Sequence, residues 1–156
     1  MLKYNLSQID IISKKISHPY IGVHYRNTDM KHDIHPIFDK ITKIIVTGHR
    51  DPIHIIYVAT DDFSSIVRFQ RQFPTYKVRY NTTLEPLLDV KKHNLHYLDT
   101  NDLQGLTKKE LLRETLTDLY LLTQSTFFIG SEKSSFTRMV TIARKTPHDN
   151  LFTRVR

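Results

Sequence analysis

Tyr20-Ile21-Gly22-Val23-His24-Tyr25-Arg26-Asn27-Thr28-Asp29 is the stretch that decides the fold. It begins as an apolar run and ends in imidazole, phenol, guanidinium, hydroxyl and carboxylate groups. An apolar run bounded by a polar turn suits a central parallel strand, and such strands present ligand-binding groups at their carboxyl ends. Gly22 within the run allows close backbone approach. Arg26 is then the natural anion-binding residue, the plainer alternative being an Arg26–Asp29 pair across a surface turn.

The flanking segments repeat the pattern. Ser7 ahead of Ile9, Ile11, Ile12 and Ile16 predicts a helix over residues 7–17, stopped by His18-Pro19. Beyond the polar residues 26–33, Pro36 opens a segment in which Ile37, Phe38, Ile41, Ile44 and Ile45 recur at helical spacing, with Gly48 near its stop. Ile53 to Ala59 is a β-branched run expected to be a second buried strand. A helix carrying Ile66, Val67 and Phe69 follows, closed by Pro74, and residues 76–80 read as a short third strand. Residues 81–106 read as loop, with a short helix around 86–90. Thr107 with Glu110 forms a capping box ahead of an amphipathic helix to Gln124. Thr126 to Gly130 is a further strand, and Phe136, Met139, Val140, Ile142 and Ala143 resume helical spacing. Strands alternating with helices predict an α/β fold with a Rossmann-like, doubly wound, mostly parallel sheet. The 156 residues are expected to form a single domain.

Composition narrows the chemistry. Hydrophobic residues make up 39% and charged residues 25%, as in ordinary globular proteins, so neither a disordered nor a fibrous class is indicated. The chain has no Cys, which removes disulfides, thiolate metal sites and Cys nucleophiles. No apolar run approaches the roughly 20 residues of a membrane span, and the first residues lack a signal-peptide core, so a cytoplasmic location is expected. A net charge of +7 implies attraction to polyanions such as nucleic acid, nucleotide diphosphates or an anionic glycan. The nearest approach to a basic patch, Arg138, Arg144, Lys145, Arg154 and Arg156, reads as solvated surface.

Three predicted strand ends carry polar clusters, His24 to Asp29, Thr60 to Asp62 and Gly130 to Ser135, and in a parallel sheet they share one edge. A helix starting near Ser134 would offer amides and a positive dipole end to a phosphate, with Arg26 adding a bidentate contact. The sequence has neither GxGxxG nor a P-loop signature, which argues against an ordinary dinucleotide fold or NTPase. Asp61 and Asp62 are read as metal ligands, helix caps or partners of sugar hydroxyls. The pairs His32/His35 and His93/His96 have a spacing at which zinc ligands occur but lack a companion carboxylate at motif spacing, and read as solvated. His24 reads either as a contact to a base or phosphate or as a satisfied core histidine.

With these motifs laid out, the chain resembles the donor-binding, C-terminal half of the GDP-fucose fucosyltransferases of the α1,6, protein O-fucosyl and nodulation type. YIGVHYRNTD is similar to the family's first motif, a strand ending in His-x-Arg-Arg-Thr-Asp. VATDD is similar to its second, and DLYLLTQSTFFIGSEKSSFTRMV to its third. The resemblance implies one Rossmann-like half of a GT-B glycosyltransferase that transfers fucose from GDP-fucose to a glycan or protein hydroxyl with inversion, without metal or other cofactor. It implies Arg26 on the β-phosphate, His24 and Asp118 facing guanine, Ser134 and Ser135 completing the phosphate site, and Asp61 and Asp62 beside the nucleotide sugar. Arg26, Asp29 and Asp33 are the candidate catalytic residues, Asp33 being the nearest carboxylate to assist an acceptor hydroxyl. Two departures stand out: Asn27 occupies the place of the family's usual second Arg, and Met30-Lys31 replaces the Lys that directly follows the Asp in the α1,6 enzymes. The acceptor half would come from a second domain or subunit. A non-catalytic GDP-sugar-binding subunit and a basic nucleic-acid-binding domain are the alternatives.

Overall fold

The computed structural model describes residues 16–27, 33–81, 108–144 and 150–153. The predicted helix over 7–17 and the readings of residues 82–106, including His93/His96, lie outside the described residues, apart from Ile16 and Ser17 at the end of that helix. The elements in chain order are β1 (Tyr20–Tyr25), α1 (His35–Thr47), β2 (Ile55–Thr60), α2 (Phe63–Gln72), β3 (Lys77–Arg79), α3 (Lys108–Gln124), β4 (Phe127–Ser131), α4 (Ser135–Ala143) and β5 (Asn150–Thr153). Among the described residues the strands form one five-stranded sheet in the order β3-β2-β1-β4-β5, parallel throughout.

β1 lies at the centre of this sheet because its side chains are apolar on both faces. Ile21, Val23 and Tyr25 join Ile56, Val58 and Ile129 under α1 and α2, which contribute Ile37, Phe38, Ile41, Ile66 and Phe69. Tyr20 points the other way, into a second core with Ile55, Tyr57 and Phe128 under Leu121 and Leu122 of α3 and Val140 of α4. Helices therefore cover both faces, the doubly wound arrangement expected from the sequence. Burying each such side chain contributes roughly 1.5–3 kcal/mol, and the central strand collects this on both sides.

Gly22 earns its place by packing: a Cβ there would lie 2.6 Å from Ser125 Oγ, so a side chain would push α3 off the sheet. The turn that follows α3 is held by Arg144. Its guanidinium, on a residue only 6% exposed, donates to Leu122 O at 3.0 Å, Ser125 O and Oγ at 2.8 Å and Thr126 O at 3.2 Å, and lies 5.9 Å from the centre of the Phe128 ring. This corrects the reading of Arg144 as solvated surface. The last carbonyls of a helix lack intrahelical donors, and the guanidinium fork at the end of α4 reaches several carbonyls of this turn at once. Arg138 is exposed as expected, whereas Lys145, Arg154 and Arg156 lie outside the described residues.

β5 is an addition to the sequence reading. It extends the sheet beyond β4, pairing Ile129 with Leu151 and Ser131 with Thr153. Among the described residues no helix is long and apolar enough to cross a membrane.

Candidate functional site

The chain runs outward from β1 to β2 and β3, then returns to place β4 on the other side of β1. The winding direction therefore reverses between β1 and β4, and in open α/β sheets the crevice at the carboxyl ends of such strands is where ligands bind. β1 and β4 are paired through Val23 and Ile129. The residues just beyond, His24 to Asn27 on one side and Ser131 to Ser135 on the other, flank that crevice. Thr60 to Asp62 at the end of β2 adjoin it, because His24 pairs with Ala59 and Tyr25 with Thr60. The described residues of all three predicted clusters share the edge.

The end of β1 is clasped by the two aspartates after β2. Asp61 Oδ1 accepts from the Asn27 amide at 2.9 Å, and Asp62 Oδ2 accepts from Asn27 Nδ2 at 2.9 Å. Arg26 Nε lies 3.6 Å from Asp61 Oδ2, an ion pair at a partly sheltered site. Arg26 thus pairs with Asp61 across the strands, and Asn27, in the place of a second Arg, ties the strand ends together. Asp62 also caps α2: its Oδ1 accepts from the Ser64 amide at 3.0 Å and from the Ser64 hydroxyl at 2.6 Å. Of the readings open for Asp62, helix capping is the one the geometry shows. Beneath these carboxylates the Tyr25 hydroxyl is raised above its ordinary pKa, first by burial, with Asp62, Asp33 and Asp61 adding to the rise and Arg68 opposing it.

Asp33 Oδ1 accepts from the His35 amide at 3.0 Å, so this exposed carboxylate supports the entry to α1. Asp29 lies outside the described residues, as does His32 of the His32/His35 pair; the His35 ring packs edge-on to Phe38.

On the β4 side, Ser134 is buried, and its hydroxyl accepts from the Thr137 amide at 3.3 Å. Ser134 is therefore the N-cap of α4, and exposed Ser135 opens the helix beside it. The amide end and dipole of α4 suit an anion at the crevice. His24 reaches across: its Nδ1 lies 2.9 Å from Thr137 Oγ1, and its ring packs against Phe136 at 4.8 Å between centroids. Ser131, at the end of β4, has a buried hydroxyl without a hydrogen-bond partner among the described residues.

Asp118 is placed apart from the clasp. It lies on α3 with Oδ1 2.5 Å from the hydroxyl of Tyr57, the mid-strand residue of β2 that pairs with Gly22. Asp118 keeps some exposure, but its carboxyl abuts the fully buried phenol, and loss of solvent there holds its pKa well above the usual carboxylate range; the Tyr57 hydrogen bond opposes this and Glu114 reinforces it. Burial likewise raises Tyr57, with the Asp118 charge adding to it. A folded-state pKa above the unfolded one means that the native protein holds the extra proton. The resulting stability is full below about pH 4, the unfolded value, and declines as pH rises through the folded pKa. Asp118→Asn is expected to flatten that decline and to gain stability on wild type toward neutral pH, which urea unfolding at a series of pH values reads directly.

Sequence reasoning gave Asn27 no role beyond its departure from the family pattern, and singled out neither Ser131 nor Thr137. Thr137 had one signal: it lies three residues after the Ser134 cap, where a helix turns its first side chains back toward the preceding strand.

The fold and site define a doubly wound α/β domain whose switch-point crevice combines a guanidinium, a helix amino end and a histidine. Among solved structures, the chain is similar to NodZ alpha-1,6-fucosyltransferase soaked with GDP-fucose, with a TM-score of 0.61 and 20% identity over 88% of this chain and 41% of that one. Fucosyltransferase NodZ from Bradyrhizobium aligns with a TM-score of 0.53 and 20% identity, over 88% of this chain and 41% of that one. POFUT1 in complex with GDP-fucose aligns with a TM-score of 0.59 and 16% identity, over 96% and 46%. The chain shares the fold of the parts it matches and spans less than half the length of these proteins. No protein-family model and no curated protein sequence matches it.

Proposed function

We propose that residues 1–156 form a single nucleotide-sugar-binding domain of a fucosyltransferase-like glycosyltransferase, with GDP-fucose as donor. The observation that carries this reading is that the end of β1, with Arg26, and the amino end of α4 flank the same switch-point crevice, joined across it by His24 and Thr137. Its support is the likeness of the fold to proteins solved with GDP-fucose. Arg26 and the α4 amides bind the diphosphate, Ser135 lies on its path, and His24 faces the guanosine end with Asp61 and Asp62 beside the nucleotide sugar. Asp118 acts behind them through Tyr57.

In transfer, the bond between the fucosyl anomeric carbon and the β-phosphate oxygen breaks while an acceptor hydroxyl oxygen bonds that carbon from the opposite face, giving inversion. GDP departs with the electron pair, and the negative charge growing on it is met by Arg26 and the helix end. The hydroxyl proton goes to a carboxylate, for which Asp33, between β1 and α1, and Asp29 are the candidates. A second domain or subunit supplies the half that holds the glycan or protein acceptor.

Calorimetric titration with GDP tests the donor reading: saturable binding stronger than that of GMP supports it, and absence of GDP binding removes it. A second reading, a GDP-sugar-binding subunit without activity of its own, is favoured by Asn27, which stands where the family resemblance implies a second Arg and is tied to Asp61 and Asp62. Release of fucose from GDP-fucose by the wild type, lost in Arg26→Ala, would decide for the enzyme.

A further inference from the structure

We infer that Thr137 is a positioning residue that holds the neutral His24 ring in its Nε2–H tautomer, so that His24 presents a hydrogen-bond donor to an acceptor oxygen of the bound ligand. The acceptor class is a phosphate or base-carbonyl oxygen, and this part rests on the donor-site reading above.

Thr137 is 0% exposed, and among the described residues the sole hydrogen-bond partner of its hydroxyl is His24 Nδ1, at 2.9 Å. A hydroxyl and an imidazole nitrogen can share such a bond in two ways. If Nδ1–H donated, the hydroxyl hydrogen would be left in a fully buried place without an acceptor, a cost of about 1–3 kcal/mol. If the hydroxyl donates to the Nδ1 lone pair, both groups are satisfied and the ring proton resides on Nε2. The second arrangement is therefore favoured.

Two further observations show that the contact is built into the fold. A Cβ on Gly130 would lie 2.6 Å from Thr137 Oγ1 and 2.7 Å from its Cγ2, so a bare backbone at this position of β4 is what lets α4 approach closely enough for the hydroxyl to reach β1. The Thr137 amide is at the same time bound to the Ser134 hydroxyl, which fixes the first turn of α4, while Phe136 packs against the histidine ring. Residues 130, 134, 136 and 137 thus determine how a side chain more than 100 positions earlier in the chain is presented.

Long-range proton–nitrogen NMR correlations of the His24 ring report the tautomer directly, and GDP calorimetry reports the consequence. The wild type is expected in the Nε2–H form. Thr137→Val, close to isosteric, is expected to erase that preference and weaken GDP binding about fivefold, the effect of one modest hydrogen bond, while Thr137→Ser restores both. An Nδ1–H ring in the wild type, or a Thr137→Val protein with unchanged tautomer and unchanged GDP affinity, overturns the inference. A wild type that binds no GDP but keeps the Nε2–H ring overturns the donor-site reading and supports the tautomer assignment.

Discussion

Replacing Arg26 with alanine is expected to weaken GDP binding by about 10- to 100-fold, the loss of a charge-assisted bidentate contact, while GMP binding changes far less. Two effects add in this variant. The phosphate loses its guanidinium, and Asp61, 3.6 Å from Arg26 Nε in the native protein, keeps its negative charge beside the incoming diphosphate. Arg26→Lys should recover only part of the affinity, since an ammonium supplies a point charge without the planar fork. Calorimetry on the three proteins with both nucleotides checks this. Equal losses for GDP and GMP would place Arg26 away from the terminal phosphate. The fold should survive, because Asn27 still ties β1 to both aspartates.

Arg144→Ala is expected to act on stability rather than binding, costing about 2–4 kcal/mol and lowering the unfolding temperature by roughly 10 °C for a chain of this length. The guanidinium donates to Leu122 O, Ser125 O and Thr126 O; Leu122 O keeps the Ser125 amide and hydroxyl, but removal of the guanidinium takes the donor from Ser125 O and leaves a gap over Phe128. Arg144→Lys should recover little, since one ammonium cannot span carbonyls on both sides of the turn. The site lies at the opposite end of the sheet, so GDP affinity below the transition should match wild type. A change in unfolding temperature of under about 2 °C would mean that water replaces the guanidinium without loss.

The contrast between Arg26 and Arg144 shows how far the sequence could be read. Arg26 was legible because it directly ends an apolar run, and the alternation of strands and helices fixed the edge on which it falls. The β1 strand, the β-branched run of β2 and the Ser134 helix start were legible for the same reason: each is specified within a few residues. Arg144 follows an equally clear helix, yet its partners are carbonyls 18–22 residues away that come within its reach only when α3 and α4 pack together. The clasp of Asn27 to Asp61 and Asp62 spans 34–35 positions and depends on β1 lying beside β2. β5 escaped because Asn150-Leu151-Phe152-Thr153 is too short to show a period and owes its place to backbone pairing with β4. Asp118 was assigned to the guanine from family resemblance alone; its hydrogen bond to Tyr57 in the middle of β2 is a contact no local pattern announces.

The proposed donor site puts a nucleoside diphosphate at the crevice between β1 and β4. The most direct measurement is a crystal structure of the protein with GDP. The β-phosphate is expected between the Arg26 guanidinium and the amides opening α4, with His24 donating to an oxygen of the ligand. GDP bound elsewhere, for example in the groove of about 360 Å³ lined by His49, His54 and Tyr76 at the opposite edge of the sheet, would contradict it.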